Sequence, residues 1–366
     1  GDTGYHARAM KPFLWLAWYG NAEARDYYLR WVDGWRNTAM IDAPDKPAGV
    51  VPGTIWFPSG SYNPPNGEPW WGPKGFNYYG TMGLPGMVHQ SFLAAYALSG
   101  DRKFLQPFQR MMDIATSGPY KHAEAEPPTR EWFFQNVQHQ AGSRECALYR
   151  ILTGESVYDE YTRRFGNPAQ IYPIDHAIEP YLASFEHAAK SLRHNLDYLT
   201  TEVLSTDRLP IPAVPEVFGA YTGAVMTTTD AEFPTFGVTY ETPDPDFAAV
   251  VTENTTTRLR VTLYGFWDQP QNVGLQFWRL QPGRYLAVQG AHFPGERPGQ
   301  RRYGWSAPEA VNVLRKGDGF TLTLPPRTEW TVDVRLDEAQ SPPAAAPDLA
   351  VHERDLHVDA VTVTAT

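Results

Sequence analysis

Apolar residues recur at helical spacing from the start of the chain to about Leu209, and from there the pattern changes to alternation. Helical periodicity covers residues 6–19, 22–40, 86–99, 101–116, 130–153, 155–165 and 176–204. Three breaks between these segments share one form, in which a glycine and then a polar or acidic residue separate two helices. Leu98-Ser99-Gly100-Asp101-Arg102-Lys103-Phe104 matches Leu152-Thr153-Gly154-Glu155-Ser156-Val157-Tyr158, and Trp18-Tyr19-Gly20-Asn21 is a looser copy. Glycine takes the left-handed position that closes one helix, and the residue after it caps or charge-stabilises the next N-terminus. The aromatic four residues past Gly100 and Gly154 is then placed to pack back on its hairpin. Repeated antiparallel helix pairs predict a solenoid or a closed ring of hairpins.

Pro210, Pro212 and Pro215 are predicted to end the last helix and to form a linker. Strand-like runs follow at 236–241, 247–252, 257–265, 273–279, 284–289, 319–324 and 329–336, bounded by Pro, Gly, Asn or Asp as in a β-sandwich. Residues 337–347 read as an extended linker. Residues 348–366 read as the opening strands of an immunoglobulin-like module, whose fold needs about 100 residues. The expectation is a multidomain α and β chain. It has a helical domain over 1–209, an antiparallel β-sandwich over 210–336, the linker, and an incomplete module at 348–366.

Composition narrows the function classes. The chain has 366 residues, 42% of them apolar and 14% aromatic, so a large core is available. Its 31 basic against 41 acidic residues give a net charge of −10, and there is no long basic run. A nucleic-acid or anionic-membrane partner is therefore not expected. No stretch approaches the ~18 apolar residues of a membrane span. Cys146 is the only cysteine, so an intrachain disulfide and a cysteine-type zinc site are excluded. No nucleotide-binding or nucleophile-elbow motif is present, and no cofactor is expected. The chain opens on Gly1-Asp2-Thr3-Gly4 and closes on an alternating run, which reads as a piece of a longer precursor whose further segments are possible partners.

The phrases His89-Gln90…Tyr96-Ala97-Leu98-Ser99-Gly100-Asp101 and His139-Gln140…Leu148-Tyr149-Arg150-Ile151-Leu152-Thr153-Gly154-Glu155 resemble inner helices of the (α/α)-toroid carbohydrate-active enzymes. The order of parts is similar to that of polysaccharide lyases of the heparinase, hyaluronate and alginate types, in which a helical toroid precedes antiparallel β-sandwich domains. The resemblance spans about residues 5–335 and rests on architecture and hairpin phrases. About seven helices are visible, so either the ring is partial or its missing helices precede Gly1. The resemblance implies an extracellular or periplasmic protein whose partner is a polysaccharide or oligosaccharide.

Candidate chemistry lies in two places. The stretch from Trp56 to Tyr79 carries Trp56, Phe57, Tyr62, Trp70, Trp71, Phe76, Tyr78 and Tyr79 among Pro, Gly, Asn and Ser. Flat aromatics beside amide and hydroxyl groups suit sugar rings, so Trp56, Tyr62, Trp70, Trp71 and Asn77 are candidate substrate-binding residues, together with Gln90 and Gln140. A loop that packs over the helices would have the same composition. His89 and His139 precede Gly100 and Gly154 by 11 and 15 residues, a difference of about one helical turn, which gives both imidazoles a similar face. Elimination from a uronate needs a base for the C5 proton, an acid for the leaving oxygen and a partner for the carboxylate. His89, His139, Tyr78, Tyr79, Asn136 and Arg144 supply these types, and Asn136, His139 and Gln140 share one helix face. Arg8, Lys74 and Arg144 offer local positive charge in an acidic chain. A toroid hydrolase would use two carboxylates, with Glu124, Glu126, Glu131, Glu145 and Asp175 available. A third reading keeps the scaffold as a non-catalytic, glycan-binding surface protein. No metal site is expected, since Asp175-His176 and His187…His194 lack ligand spacing.

Overall fold

The computed structural model describes residues 7–56, 58–67, 69–70, 84–117, 129, 132, 142–198, 214–225, 236–292 and 302–337. It is a mixed α and β structure, with nine α-helices and two antiparallel sheets among the described residues.

The helices are α1 (Lys11–Trp18), α2 (Ala22–Ala39), α3 (Leu84–Ser99), α4 (Gln106–Ser117), α5 (Ser143–Thr153), α6 (Asp159–Phe165), α7 (Pro168–Asp175), α8 (Glu179–Tyr198) and α9 (Val214–Thr222). The three glycine breaks take the backbone that the sequence asks of them, with φ of 98° at Gly20, 71° at Gly100 and 76° at Gly154. Asn21 caps α2, its Oδ1 accepting from the Ala24 amide at 2.8 Å. Asp101 accepts from the Lys103 amide at 2.9 Å and opens a single 3-10 turn, Arg102–Leu105, ahead of α4. Phe104 and Tyr158, each four residues past a hinge glycine, are both buried. The two closer hinges also meet in space. Arg102 Nη2 lies 2.6 Å from Glu155 Oε1, and Tyr149 donates its hydroxyl hydrogen to the other carboxylate oxygen.

Strands β1 (Val238–Glu241), β4 (Gln271–Phe277) and β7 (Gly319–Leu324) form one sheet in the order β1-β4-β7. Strands β2 (Phe247–Asn254), β3 (Arg258–Gly265), β8 (Glu329–Leu336), β5 (Gly283–Ala291) and β6 (Glu309–Val313) form the other, in that order. Alternation fixes the register: Leu259, Val261 and Leu263 turn inward, with Val261 opposite Val332 and Leu259 opposite Val334. Inward residues of both sheets, among them Leu275, Phe277, Leu322, Val261 and Val334, enter one hydrophobic cluster.

The helical and β parts are joined by aromatic side chains. Trp278 follows β4 directly but belongs to the core of the helices. Its ring stands edge-on to Tyr19 at 5.4 Å and to Phe236 at 5.6 Å, while its Nε1 donates to Thr239 Oγ1 at 2.8 Å. Lys316 Nζ sits 4.9 Å over the Trp18 ring and donates to the carbonyls of Arg279 and Leu280 at 3.1 and 2.9 Å. A Cβ at Gly237 would come within 2.1 Å of Asn254 Oδ1, so a larger residue at this joint would displace the Asn254 side chain.

Several local expectations change. Part of the proline-rich stretch read as a linker is α9, since Pro215 sits in its first turn, where a missing N–H costs nothing. An unexpected helix, α7, starts from a capping box in which Asn167 Oδ1 accepts from Gln170 N at 3.0 Å and Gln170 Oε1 accepts from Asn167 N at 3.1 Å. It ends at His176 in left-handed conformation (φ 52°), so α8 begins only at Glu179. Strand β6 is also new. The run 348–366, read as an immunoglobulin-like start, lies outside the described residues, as does the linker beyond Asp337.

Candidate functional site

Helix α3 carries His89 and Gln90, and the first turn of α5 carries Arg144 and Glu145. The fold brings Gln90 and Arg144 together on one acceptor. Gln90 Nε2 and Arg144 Nε both donate to Glu145 Oε1 at 2.8 Å, and the Gly142 amide donates to Oε2 at 2.9 Å. Glu145 is 2% exposed. Its carboxylate also faces the positive end of α5, so the group is held by three donors and a helix terminus. Such a network fixes α3 against α5 and leaves Gln90 Nε2 and Arg144 Nε committed. His89 is fully enclosed, its ring edge-on to Phe92 at 5.6 Å and to Phe108 at 6.3 Å.

The aromatic stretch splits in the same way. Trp70 is 1% exposed, and Tyr62 meets it edge-on at 5.6 Å. Both belong to the hydrophobic core, which corrects the expectation that they offer an open face to sugar. Trp56 is half-buried and anchors a tight turn, its amide donating to the Ser61 carbonyl at 2.7 Å and its carbonyl accepting from Gly60 at 2.8 Å. Behind Tyr62, the fully buried Lys46 donates to the carbonyls of Ala39 and Ile41 at 2.8 and 3.2 Å and so closes the end of α2. Trp71, Asn77, Tyr78, Tyr79, Asn136, His139 and Gln140 lie outside the described residues, as do Lys74 and the carboxylates Glu124, Glu126 and Glu131. Asp175 is engaged with Arg163 at 2.9 Å.

A cavity of about 570 Å³ opens where α5, α7, α8 and α9 meet the β2–β3 hairpin. Arg150, Tyr172, His176, Tyr181, Glu253 and Arg258 are among its walls. Sequence reasoning missed it, since these residues come from separate elements and form no motif. The one local signal is the run Asn254-Thr255-Thr256-Thr257, which supplies polar groups at the hairpin tip.

Among the described residues, no group of three or more His, Cys, Asp or Glu side chains could hold a metal ion, and no helix is long and apolar enough to cross a membrane. The chain matches no protein-family model and no curated protein sequence.

Proposed function

We propose that the chain is a carbohydrate-active protein, a polysaccharide lyase that cleaves an acidic glycan by β-elimination outside the cytoplasm. In this reading the glycine-hinged hairpins form an arc of an (α/α)-toroid, and the two sheets that share one core form a β-sandwich behind it. The observation that carries the reading is this succession. Hinges at Gly20, Gly100 and Gly154 share one left-handed geometry, and antiparallel sheets follow them in the chain.

The chemistry assigns Tyr79 and His139 to proton transfer. One removes the C5 proton of the uronate, the C4–O bond breaks as the C4=C5 double bond forms, and the other returns a proton to the leaving oxygen. Neutralising the carboxylate falls to Asn136 and Gln140, because Arg144 already faces Glu145. The test is His139→Ala and Tyr79→Phe, each confirmed folded by circular dichroism and assayed for unsaturated-uronate absorbance on alginate, hyaluronan and heparan sulfate. The expected outcome is a loss of at least ~100-fold in turnover for each, in line with general acid–base catalysis. Unchanged turnover in both variants, or no product from the unaltered chain, ends the reading.

One observation favours a second reading, a glycan-binding protein without catalysis. Of the described candidates, His89 is enclosed and Gln90 is tied to a structural carboxylate. Saturable glycan binding with no product would select it.

A further inference from the structure

None of the residues lining the cavity between the helices and the β2–β3 hairpin is a candidate for the elimination chemistry, and the cavity has buried polar walls. Tyr172 is 8% exposed and Tyr181 2%, their ring centres 5.0 Å apart and edge to face. Both line the cavity, and no other described residue engages either hydroxyl. Burial pushes both phenols above the ordinary tyrosine range, which keeps them protonated and able to donate. The Thr256 hydroxyl, on the hairpin side of the same space, is equally unengaged. Hydroxyls of cavity-lining residues that find no protein partner are completed by water or by a ligand.

The charges on the walls are already balanced. Arg258 is held on two sides, at 2.9 Å by Glu253 and at 2.6 Å by Asp333. Arg150 lies 3.6 Å from Asp159 and also donates to the Gly154 carbonyl. An anionic ligand would find neither guanidinium available without breaking an existing pair, and it would meet the Glu253 carboxylate. Hydroxyl groups, which donate and accept, suit these walls. A volume of about 570 Å³ falls inside the usual range of ~300–1,000 Å³ for small-ligand sites.

We infer that this cavity, whose lining residues include none of the candidate elimination residues, binds an uncharged, polyhydroxylated ligand, a neutral stretch of glycan. Beyond the Arg258 wall lie two further aromatic rings. Asp333 Oδ2, bound to Arg258, is also 4.0 Å from Arg260 Nε. The Arg260 guanidinium carbon lies 4.8 Å from the ring centre of Tyr303 and 5.5 Å from that of Trp305. Those two rings stack at 4.5 Å, and Trp305 is 38% exposed, so it is reachable by a further sugar.

Calorimetric titration of the full chain with cellohexaose, xylohexaose, mannohexaose and, for charge contrast, hexagalacturonate tests the inference. At least one neutral hexasaccharide should bind saturably. The double variant Tyr172→Phe/Tyr181→Phe, which keeps both rings, should weaken that binding by about ten-fold or more with no change in melting temperature. Trp305→Ala should weaken the hexasaccharide more than the matching disaccharide. Three results would each overturn the inference: no saturable neutral binding, full affinity in the double tyrosine variant, or hexagalacturonate competing with equal affinity. Product formation on acidic glycans, read through His139 and Tyr79, is a separate measurement, so the two ideas fail independently.

Discussion

The helical and β regions bury their polar groups in opposite ways. Inside the helical region lie His89, Gln90, Glu145 and Lys46, each at most 2% exposed, and specific donors or acceptors hold Gln90, Glu145 and Lys46. The cluster between the sheets is hydrophobic, with the Tyr285 hydroxyl donating to the carbonyls of Gln281 and Thr256, while the buried Thr331 and Asp333 sit on the outer face of the five-stranded sheet, opposite Thr262 and Arg260. A sheet sorts its side chains by alternation alone, so one face can be kept free of polar groups. Helices of short length joined by irregular segments cannot sort so cleanly. Val50, Val51 and Trp70, all outside the helices, complete the helical core. The lesson is that alternation places the polar groups of the β region, whereas the packing of helix on helix depends on specific contacts such as Gln90 to Glu145.

The sharpest way to break this contrast is at Trp278, which leaves the β region to complete the helical core. Trp278→Ala removes a ring that is 7% exposed and contacts Tyr19 and Phe236. Truncation of a buried tryptophan costs about 3–5 kcal/mol. Denaturant unfolding followed by tryptophan fluorescence and by far-ultraviolet dichroism should show that loss, with the two probes separating in the variant. Coincident transitions and a cost under ~1 kcal/mol would mean that the regions do not depend on this joint.

Legibility follows the same division. Hinges at Gly100 and Gly154, the burial of Phe104 and Tyr158, and strands β2, β3, β4, β7 and β8 could all be read from period and punctuation, because each depends on neighbours in the chain. Helices α7 and α9 could not. Pro215 reads as part of a linker, yet it and Pro168 occupy first turns, where proline fits. Strand β6 was missed because only Val311 and Val313 of its five residues are buried. Aromatic composition also fails to separate a sugar platform from a core residue, and Trp70 shows the limit, since a tryptophan among Pro, Gly and Asn ended up 1% exposed. The junction cavity draws on residues from Arg150 to Arg258, which no local pattern connects.

Lys46 sharpens the comparison by pH. Burial draws its ammonium down from the ordinary lysine value to about 7, with Asp42 and Asp45 opposing the shift. In the unfolded chain the amine stays protonated to about pH 10. Below pH 7 both states carry the proton and Lys46 adds no slope. Between about pH 7 and 10 the unfolded state binds more protons, so stability should rise with pH, by at most ~1.4 kcal/mol per pH unit from this group. Lys46→Met should flatten that rise in denaturant midpoints measured from pH 6.5 to 9.5. Parallel curves for the two proteins would show that the carbonyls of Ala39, Ile41 and Pro47 around Nζ keep the charge in place.

The smallest effect should come from the contact that joins the two hinge copies. Arg102 and Glu155 meet at 2.6 Å, but their side chains are 59% and 34% exposed. Water and salt screen such a pair, and holding two long side chains in one geometry costs entropy, so exposed pairs contribute about 0–1 kcal/mol. Glu155 also accepts from Tyr149, which in turn accepts from Gln109 Nε2 at 3.0 Å, and that part of the network does not need the arginine. Arg102→Ala should therefore lower stability by no more than ~0.5 kcal/mol, and the difference should vanish at 1 M salt, where the screening length is ~3 Å. A loss above ~1.5 kcal/mol that persists in salt would mean that the hinges are locked as one unit, and the helical region would then owe its specification to surface pairs as much as to its buried ones.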